Sequence, residues 1–275
     1  MKTLYLSDLD GTLLHSNGSL SAFSKKAIDA LGDAGVLFTF ATARTYATVI
    51  PMFREVRLRC PLVLMNGVCI YDPQKKQTIR HHALPVELGK EAERIFQKYG
   101  KNPMLYFEKD SHMRVEYKAL VNAPQENYVA QRDNFYNKGF VKVEHYNFND
   151  GDFLYVVTLD KKDEIEGLYH EMNALPGISF NFYADNYTDC YFLEGMNDTV
   201  SKASGALEVK QLLGADRIVA FGDNLNDLPL FETADECYAV ANAHPALKEK
   251  ATGVIGANDE DAVVRFVLER HGIRL

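Results

Sequence analysis

The apolar pattern of this chain changes period twice, and that double change narrows its possible folds more than any other feature. Thr3 to Ser7 reads as a short buried strand, and Ser21 to Ala34 has helical spacing that Gly35 stops at the position after the helix end. Val36 to Ala41 is again apolar and β-rich, a helical stretch starts near Tyr46, and a strand follows from Leu62 to Met65. Strands and helices alternating through short connections predict a parallel sheet with helices on both faces. Val68 to Tyr71 and Thr78 to His82, split by Asp72-Pro73-Gln74-Lys75-Lys76, predict a hairpin instead of another strand–helix unit.

From about Leu84 the rhythm differs. A helix over Val86 to Tyr99 is followed by short strands, Met104 to Phe107 and Arg114 to Tyr117, and by a polar helical stretch ending near Lys138. Strands around Phe140 to Val143 and Leu154 to Leu159, a helix from Asp163 to Ala174, and strands Ile178 to Tyr183 and Asp189 to Glu194 complete it. That mixture predicts an α+β module with a mostly antiparallel sheet. After Ser201 the first rhythm returns: helix to Leu213, strand Arg217 to Phe221, helix from Asp227, strand Tyr238 to Val240 and a last helix from Asp259 to Arg270. The expected organisation is an α/β, Rossmann-like parallel core in two parts, 1–83 and 197–275, interrupted by an inserted α+β domain over 84–196.

Composition excludes several roles. The 275 residues are 47% hydrophobic, enough for a sizeable core, and the formal charge of −8 is wrong for a general nucleic-acid binder, which needs a basic face. No apolar run approaches the roughly 20 residues that cross a bilayer, so no membrane partner is expected. The N-terminus enters a strand at once and does not read as a signal peptide. Four scattered cysteines, Cys60, Cys69, Cys190 and Cys237, read as free thiols of a reducing compartment, which makes the cytoplasm the expected location.

The chemistry concentrates where predicted strands end. Ser7-Asp8-Leu9-Asp10-Gly11-Thr12-Leu13-Leu14 places two carboxylates just past the first strand, at the edge where open α/β sheets bind ligands. Two acids this close need a cation, and a hard divalent ion with oxygen ligands suits them. Alone, the motif also reads as a turn with capping carboxylates or a fragment of a calcium loop. Phe221-Gly222-Asp223-Asn224-Leu225-Asn226-Asp227-Leu228 repeats the situation past a later strand. Asp223 and Asp227 would complete a cation site and Asn226 would offer neutral hydrogen bonds, although an ordinary N-cap fits the same letters. Ala41-Thr42-Ala43-Arg44 supplies a hydroxyl and backbone N–H groups ahead of a helix, either a phosphate cradle or another cap. Lys202, at a helix start, is solvated or else holds two anions together.

Taken together, D-x-D-G-T-L-L, the Thr after the second strand, the Lys and G-D-x-x-N-D resemble the haloacid dehalogenase superfamily phosphatases, in the Cof-type branch with an inserted α/β cap of the C2 type. The likeness runs the whole length. It implies a Mg2+-dependent phosphatase of small phosphorylated metabolites, sugar phosphates or related phosphoesters, working as a monomer or weak homo-oligomer. Asp8 is implied as nucleophile, forming an aspartyl-phosphate, and Asp10 as general acid and base. Mg2+ would sit between Asp8, the backbone carbonyl of Asp10 and Asp223, with Asp227 supporting it directly or through water. Thr42 and the amide of Ala43 would bind phosphoryl oxygens, Lys202 would screen Asp8 from the phosphate, and Asn226 would add a hydrogen bond.

Two positions depart from that pattern: Ala43 and Ala203 stand where the family has glycine, which bears on substrate size and affinity. Arg44 reads equally as a substrate contact or as the partner of a surface acid. The inserted segment would close over the core site; most of its aromatics at strand positions (among Tyr106, Phe107, Tyr117, Tyr183 and Tyr187) read as its core, and the others, with His112 and Arg114, would suit a polar, ring-stacking pocket. His81, His82 and His244 lack metal-ligand spacing. The competing functions are a sugar phosphomutase and a non-catalytic phosphometabolite-binding regulator.

Overall fold

The computed structural model describes residues 1–136, 139–185 and 188–275 and divides into two compact units, Met1–Arg80 with Val200–Leu275, and His81–Thr199. The centre of the first unit is a five-stranded parallel sheet. Its order is Gly253–Val254, Glu236–Ala239, Arg217–Gly222, Thr3–Ser7, Leu37–Phe40. Leu4 and Leu6 are fully buried, as are Ile218 to Phe221, because a parallel strand is covered on both faces. Two packed helix pairs flank it: Ala22–Asp33 with Ala262–Arg270, and Lys202–Leu213 with Leu228–Thr233.

Local chemistry sets the helix ends. The Ser21 hydroxyl accepts the Ser24 N–H at the start of Ala22–Asp33, and Gly35, at φ +77°, turns the chain away after its end. Ser201 and Ser204 cap Lys202–Leu213 reciprocally, and Gly214 closes that helix in the left-handed region.

Several expectations are corrected here. Leu62–Leu64 does not simply extend the parallel sheet; one parallel bridge, Ala41 to Val63, joins it, and it then pairs antiparallel with Cys69–Asp72, beside which lies Gln77–His81. The last helix starts at Ala262, not Asp259, because Asn258–Glu260 is a 3-10 turn and Asp261 adopts φ +56°. A helix over Pro245–Lys250 and the strand Gly253–Val254 are elements that the apolar pattern did not show.

The second unit has a six-stranded sheet ordered Ile178–Ala184, Cys190–Asn197, Asp152–Lys161, Met104–Lys109, His112–Tyr117, Phe140–Lys142. Every pairing is antiparallel except the last, which is parallel because the helix Ala123–Tyr136 intervenes. Ile95 and Phe96 of the helix Val86–Lys98, and Ile165 and Leu168 of the helix Lys162–Met172, pack with Phe107 and Phe153 of the sheet into one core. Phe107 is therefore core, and Tyr106 is buried with its hydroxyl 2.9 Å from that of Tyr128. Arg114 is bound to Glu116 and Asp150 at 2.9 and 2.8 Å. Tyr187 and the expected helix end at Lys138 lie outside the described residues. All four cysteines are buried and free. Among the described residues no helix is long and apolar enough to cross a membrane.

A testable tie joins the last helix to the sheet. Arg270 donates from both terminal nitrogens to Glu236, at 2.6 and 2.8 Å, and Tyr238 and Arg217 donate to the same carboxylate. The Arg270 hydrogen bonds pull the Glu236 carboxyl down to about 2 from its usual 4.5. A depressed acid stabilises the fold above its unfolded value and loses that contribution as pH falls toward its folded value. Glu236→Gln is expected to cost about 1 kcal/mol at neutral pH, a figure kept small by solvent screening near the surface. Urea unfolding of both proteins at neutral pH and at about pH 3 checks this: the difference should shrink in acid.

Candidate active site

The two acidic motifs meet because their strands are neighbours. Thr3–Ser7 pairs in parallel with Arg217–Gly222, so both strands end on the same edge of the sheet, and the Asp8 N–H continues the ladder by donating to the Phe221 carbonyl at 2.9 Å. Beyond Asp8 the chain makes a wide turn over Leu9–Leu13, non-helical at Asp10 and at Gly11, which sits at φ +76°. Glycine is required there twice over. The left-handed conformation disfavours a side chain, and an added Cβ would lie 2.4 Å from Oδ2 of Asp223. Gly222 has the same function on the facing strand, where a Cβ would lie 2.7 Å from Oδ2 of Asp227. The Thr12 hydroxyl donates to Oδ1 of Asp223 at 3.1 Å and fixes that carboxylate.

Lys202 closes the cluster from the start of its helix. Its ammonium donates to Oδ1 of Asp8 at 2.6 Å and to Oδ1 of Asp227 at 2.8 Å, and the side chain is 3% exposed. The solvated-lysine alternative is thereby excluded. Asp227 is fully buried, and its other oxygen accepts the N–H groups of Asp223 and Asn224 at 3.1 and 3.2 Å. One oxygen from each of Asp8, Asp223 and Asp227 lies within 4.8 Å of the others.

The electrostatics of this cluster follow from its burial and its excess of carboxylates. Burial pushes the Asp8 carboxyl well above the usual carboxylate range, against the pull of Lys202. Burial, with the charge of Asp227 next, pushes Asp223 up to about 6. Burial would also favour a neutral Lys202, yet the two carboxylates outweigh it and hold the amine protonated. Three carboxylates face one ammonium, so the ionised cluster carries an excess of two negative charges. A divalent cation with a preference for hard oxygen donors matches both that charge and the donor set. The donor set therefore fits a hard divalent cation, with Asp8 and Asp223 each keeping one carboxylate oxygen clear of the hydrogen bonds to Lys202 and Thr12, and Asp227 largely committed to Lys202 and the backbone.

Thr42, Ala43 and Arg44, read from the sequence as a phosphate cradle or a cap, lie one strand over. The Ala41 N–H donates to the Ser7 carbonyl at 2.8 Å, so Thr42 and Asp8 leave neighbouring strand ends. Thr42 is buried, and its hydroxyl accepts the Arg44 N–H at 3.2 Å. Ala43 is exposed. The helix expected from near Tyr46 starts there but is short: it covers Tyr46–Val49 and runs into a 3-10 turn over Ile50–Phe53. Its dipole is correspondingly small, so the backbone and hydroxyl of the loop itself would supply the donors. Asn226 is exposed in the 3-10 turn Leu225–Asp227.

Asp10 stands apart from the other carboxylates. Its side chain is 53% exposed and accepts Nε and one terminal nitrogen of Arg44, at 2.8 and 2.7 Å. The acid that Arg44 pairs with is thus Asp10, itself one of the carboxylates that the sequence singled out. Sequence reasoning missed two further residues. Asn242 donates to the Gly11 carbonyl at 2.8 Å and accepts the Asn258 N–H at 3.0 Å, while Asn258 donates to the Leu14 carbonyl at 2.9 Å. Together they strap the loop after Asp8, across separations of 231 and 244 residues that no local pattern reveals.

Comparison with known proteins agrees with this geometry. A family described as haloacid dehalogenase-like hydrolase matches residues 5–267. The chain is 27% identical over 270 residues to the 5-amino-6-(5-phospho-D-ribitylamino)uracil phosphatase YitU of Bacillus subtilis, covering 95% of each. It is 25% identical over 267 residues to the pyridoxal phosphate phosphatase YbhA of Escherichia coli, covering 94% of this chain and 95% of that one. In fold it resembles a haloacid dehalogenase-like hydrolase from Bacteroides thetaiotaomicron, with TM-score 0.80 at 20% identity over 98% of this chain and 100% of the other.

Proposed function

Because the chain belongs to the haloacid dehalogenase-like hydrolases and is a phosphoric monoester hydrolase among them, we propose that it cleaves a small phosphorylated metabolite with Mg2+ through an aspartyl-phosphate on Asp8. The observation that carries this reading is the cluster of Asp8, Asp223, Asp227 and Lys202, which combines a fixed carboxylate with an excess of negative charge that a dication would balance. Phosphoryl transfer asks a protein mainly for alignment and for compensation of negative charge. Bound Mg2+ would supply that compensation to the phosphoryl oxygens and to the carboxylates around them.

The protein's own groups divide the rest. Asp8 is held by its N–H on the strand ladder and by Lys202, so its carboxylate is set before substrate arrives. One of its oxygens forms a bond to phosphorus while the bond to the leaving oxygen breaks, and Asp10 gives that oxygen its proton. Asp10 then takes a proton from water as the water attacks phosphorus, the bond to Asp8 breaks, and phosphate leaves. Lys202 offsets the crowding of Asp8 and the phosphoryl group. Thr42 and Ala43 would bind phosphoryl oxygens from the neighbouring strand end, and Asn226 would add a donor.

The experiment is phosphate release from a panel of sugar phosphates, pyridoxal phosphate and 4-nitrophenyl phosphate, with Mg2+ or with EDTA. Release that requires Mg2+ and equals the alcohol formed is expected. Isomeric sugar phosphates formed without equivalent free phosphate would replace this reading with a phosphomutase.

A further inference from the structure

The Arg44–Asp10 pair carries a consequence for one half of the reaction. Exposed ion pairs usually contribute little, but a two-pronged guanidinium–carboxylate pair is the arrangement that orients a carboxylate. Among the described residues Arg44 is the only side chain hydrogen-bonded to Asp10, and each Asp10 oxygen accepts one of its N–H groups. Arg44 is itself anchored. Its N–H donates to the Thr42 hydroxyl, its carbonyl accepts the Met65 N–H at 3.0 Å, and its remaining terminal nitrogen lies 3.8 Å from Sδ of Met52. A carboxylate held this way is an acceptor at both oxygens, with a lone pair on each still able to accept from water. That is the posture of a base: the lone pair that Arg44 leaves free on each oxygen is the one that can take a proton from water.

Building on the aspartyl-phosphate reading above, we propose that Arg44 is a positioning residue for the second half-reaction, aiming the Asp10 carboxylate at the water that hydrolyses the aspartyl-phosphate. In that step water oxygen bonds to phosphorus, the P–O bond to Asp8 breaks with its electron pair returning to the Asp8 carboxylate, and the water proton goes to Asp10. Formation of the intermediate from a substrate with a good leaving group needs no proton from Asp10, so it should proceed without Arg44.

The test is rapid mixing of 4-nitrophenyl phosphate and Mg2+ with the wild type, Arg44→Ala, Arg44→Lys and Asp10→Asn, following nitrophenolate and, by intact mass, covalent phosphate. Arg44→Ala is expected to give a burst of about one nitrophenolate per chain, then a linear phase about ten- to a hundredfold below wild type, with the phosphoprotein accumulating. Arg44→Lys keeps the charge without the fork and should fall between. Melting curves matching wild type establish that the variants are folded. Burst and linear phase slowed together, or a rise in KM alone, would overturn the inference in favour of a phosphate-binding Arg44; an unchanged linear phase would also overturn it. Asp10→Asn separates the two levels. If it accumulates phosphoprotein and Arg44→Ala does not, the inference fails while the intermediate stands. If no variant and no wild-type sample ever carries covalent phosphate, the aspartyl-phosphate reading fails and the inference with it.

Discussion

Asp8→Asn is expected to lower phosphate release by about a thousandfold or more, because the amide is a far weaker nucleophile than the carboxylate it replaces. The fold should survive. The Asp8 N–H, which continues the sheet ladder, is untouched, and Lys202 keeps Asp227 as its partner. Stability should even rise in metal-free buffer at neutral pH. An acid whose folded pKa is raised destabilises the fold in its ionised form, and burial raises both Asp8 and Asp223. Removing one of those charges relieves the other. Thermal unfolding in EDTA, alongside steady-state turnover with Mg2+, measures both effects. A variant that still turns over at the wild-type rate would sink the assignment of Asp8 as nucleophile.

Lys202→Met should damage stability and activity together. Lys202 donates to Asp8 and Asp227, both almost wholly buried, and its loss leaves two carboxylates without their cation. Breaking a buried pair from one side costs about 3–5 kcal/mol. Turnover should also fall by about a hundred- to a thousandfold, since no other side chain of the cluster carries positive charge. The double variant Lys202→Met with Asp227→Asn separates the two consequences. It removes one of the stranded charges and should recover part of the unfolding free energy in urea, while turnover stays low. Recovery of turnover with stability would mean that Lys202 acts only through folding.

Much of this arrangement could be read from the letters because its parts have local signatures. Thr3–Ser7 and Arg217–Gly222 are short apolar strands, each running straight into an acidic motif, and the structure places those motifs on one sheet edge. The cap of Ser201 and the glycine behind Asp33 are equally local. What escaped was either too short or too distant. Gly253–Val254 has two residues and no period to detect. The helix Pro245–Lys250 is six residues opened by a proline, where apolar spacing carries little signal. Asp261 interrupts what looks like one continuous helix by adopting a left-handed conformation, stabilised as its carboxylate accepts from Ser21, Ser24 and His15. For Arg44 the choice between substrate and acid depended on a side-chain direction that no spacing encodes, and the same holds for Asn242 and Asn258.

The pairing of Thr3–Ser7 with Arg217–Gly222 also bears on how the protein comes into being. The first strand leaves the ribosome long before its partner exists, and Thr3 waits for Arg217. Its other neighbour among the described residues, Leu37–Phe40, is made much sooner. The segment His81–Thr199, continuous in sequence and with its own core, is free to fold during that interval. Lys202, Asp223 and Asp227 all emerge after it. Nascent chains thus carry Asp8 without the ammonium, the other carboxylates or the asparagine strap, and its surroundings are assembled only after Asn258 has been made. Contacts of such long sequence separation slow assembly, and they tie formation of this cluster to the synthesis of the second half of its sheet.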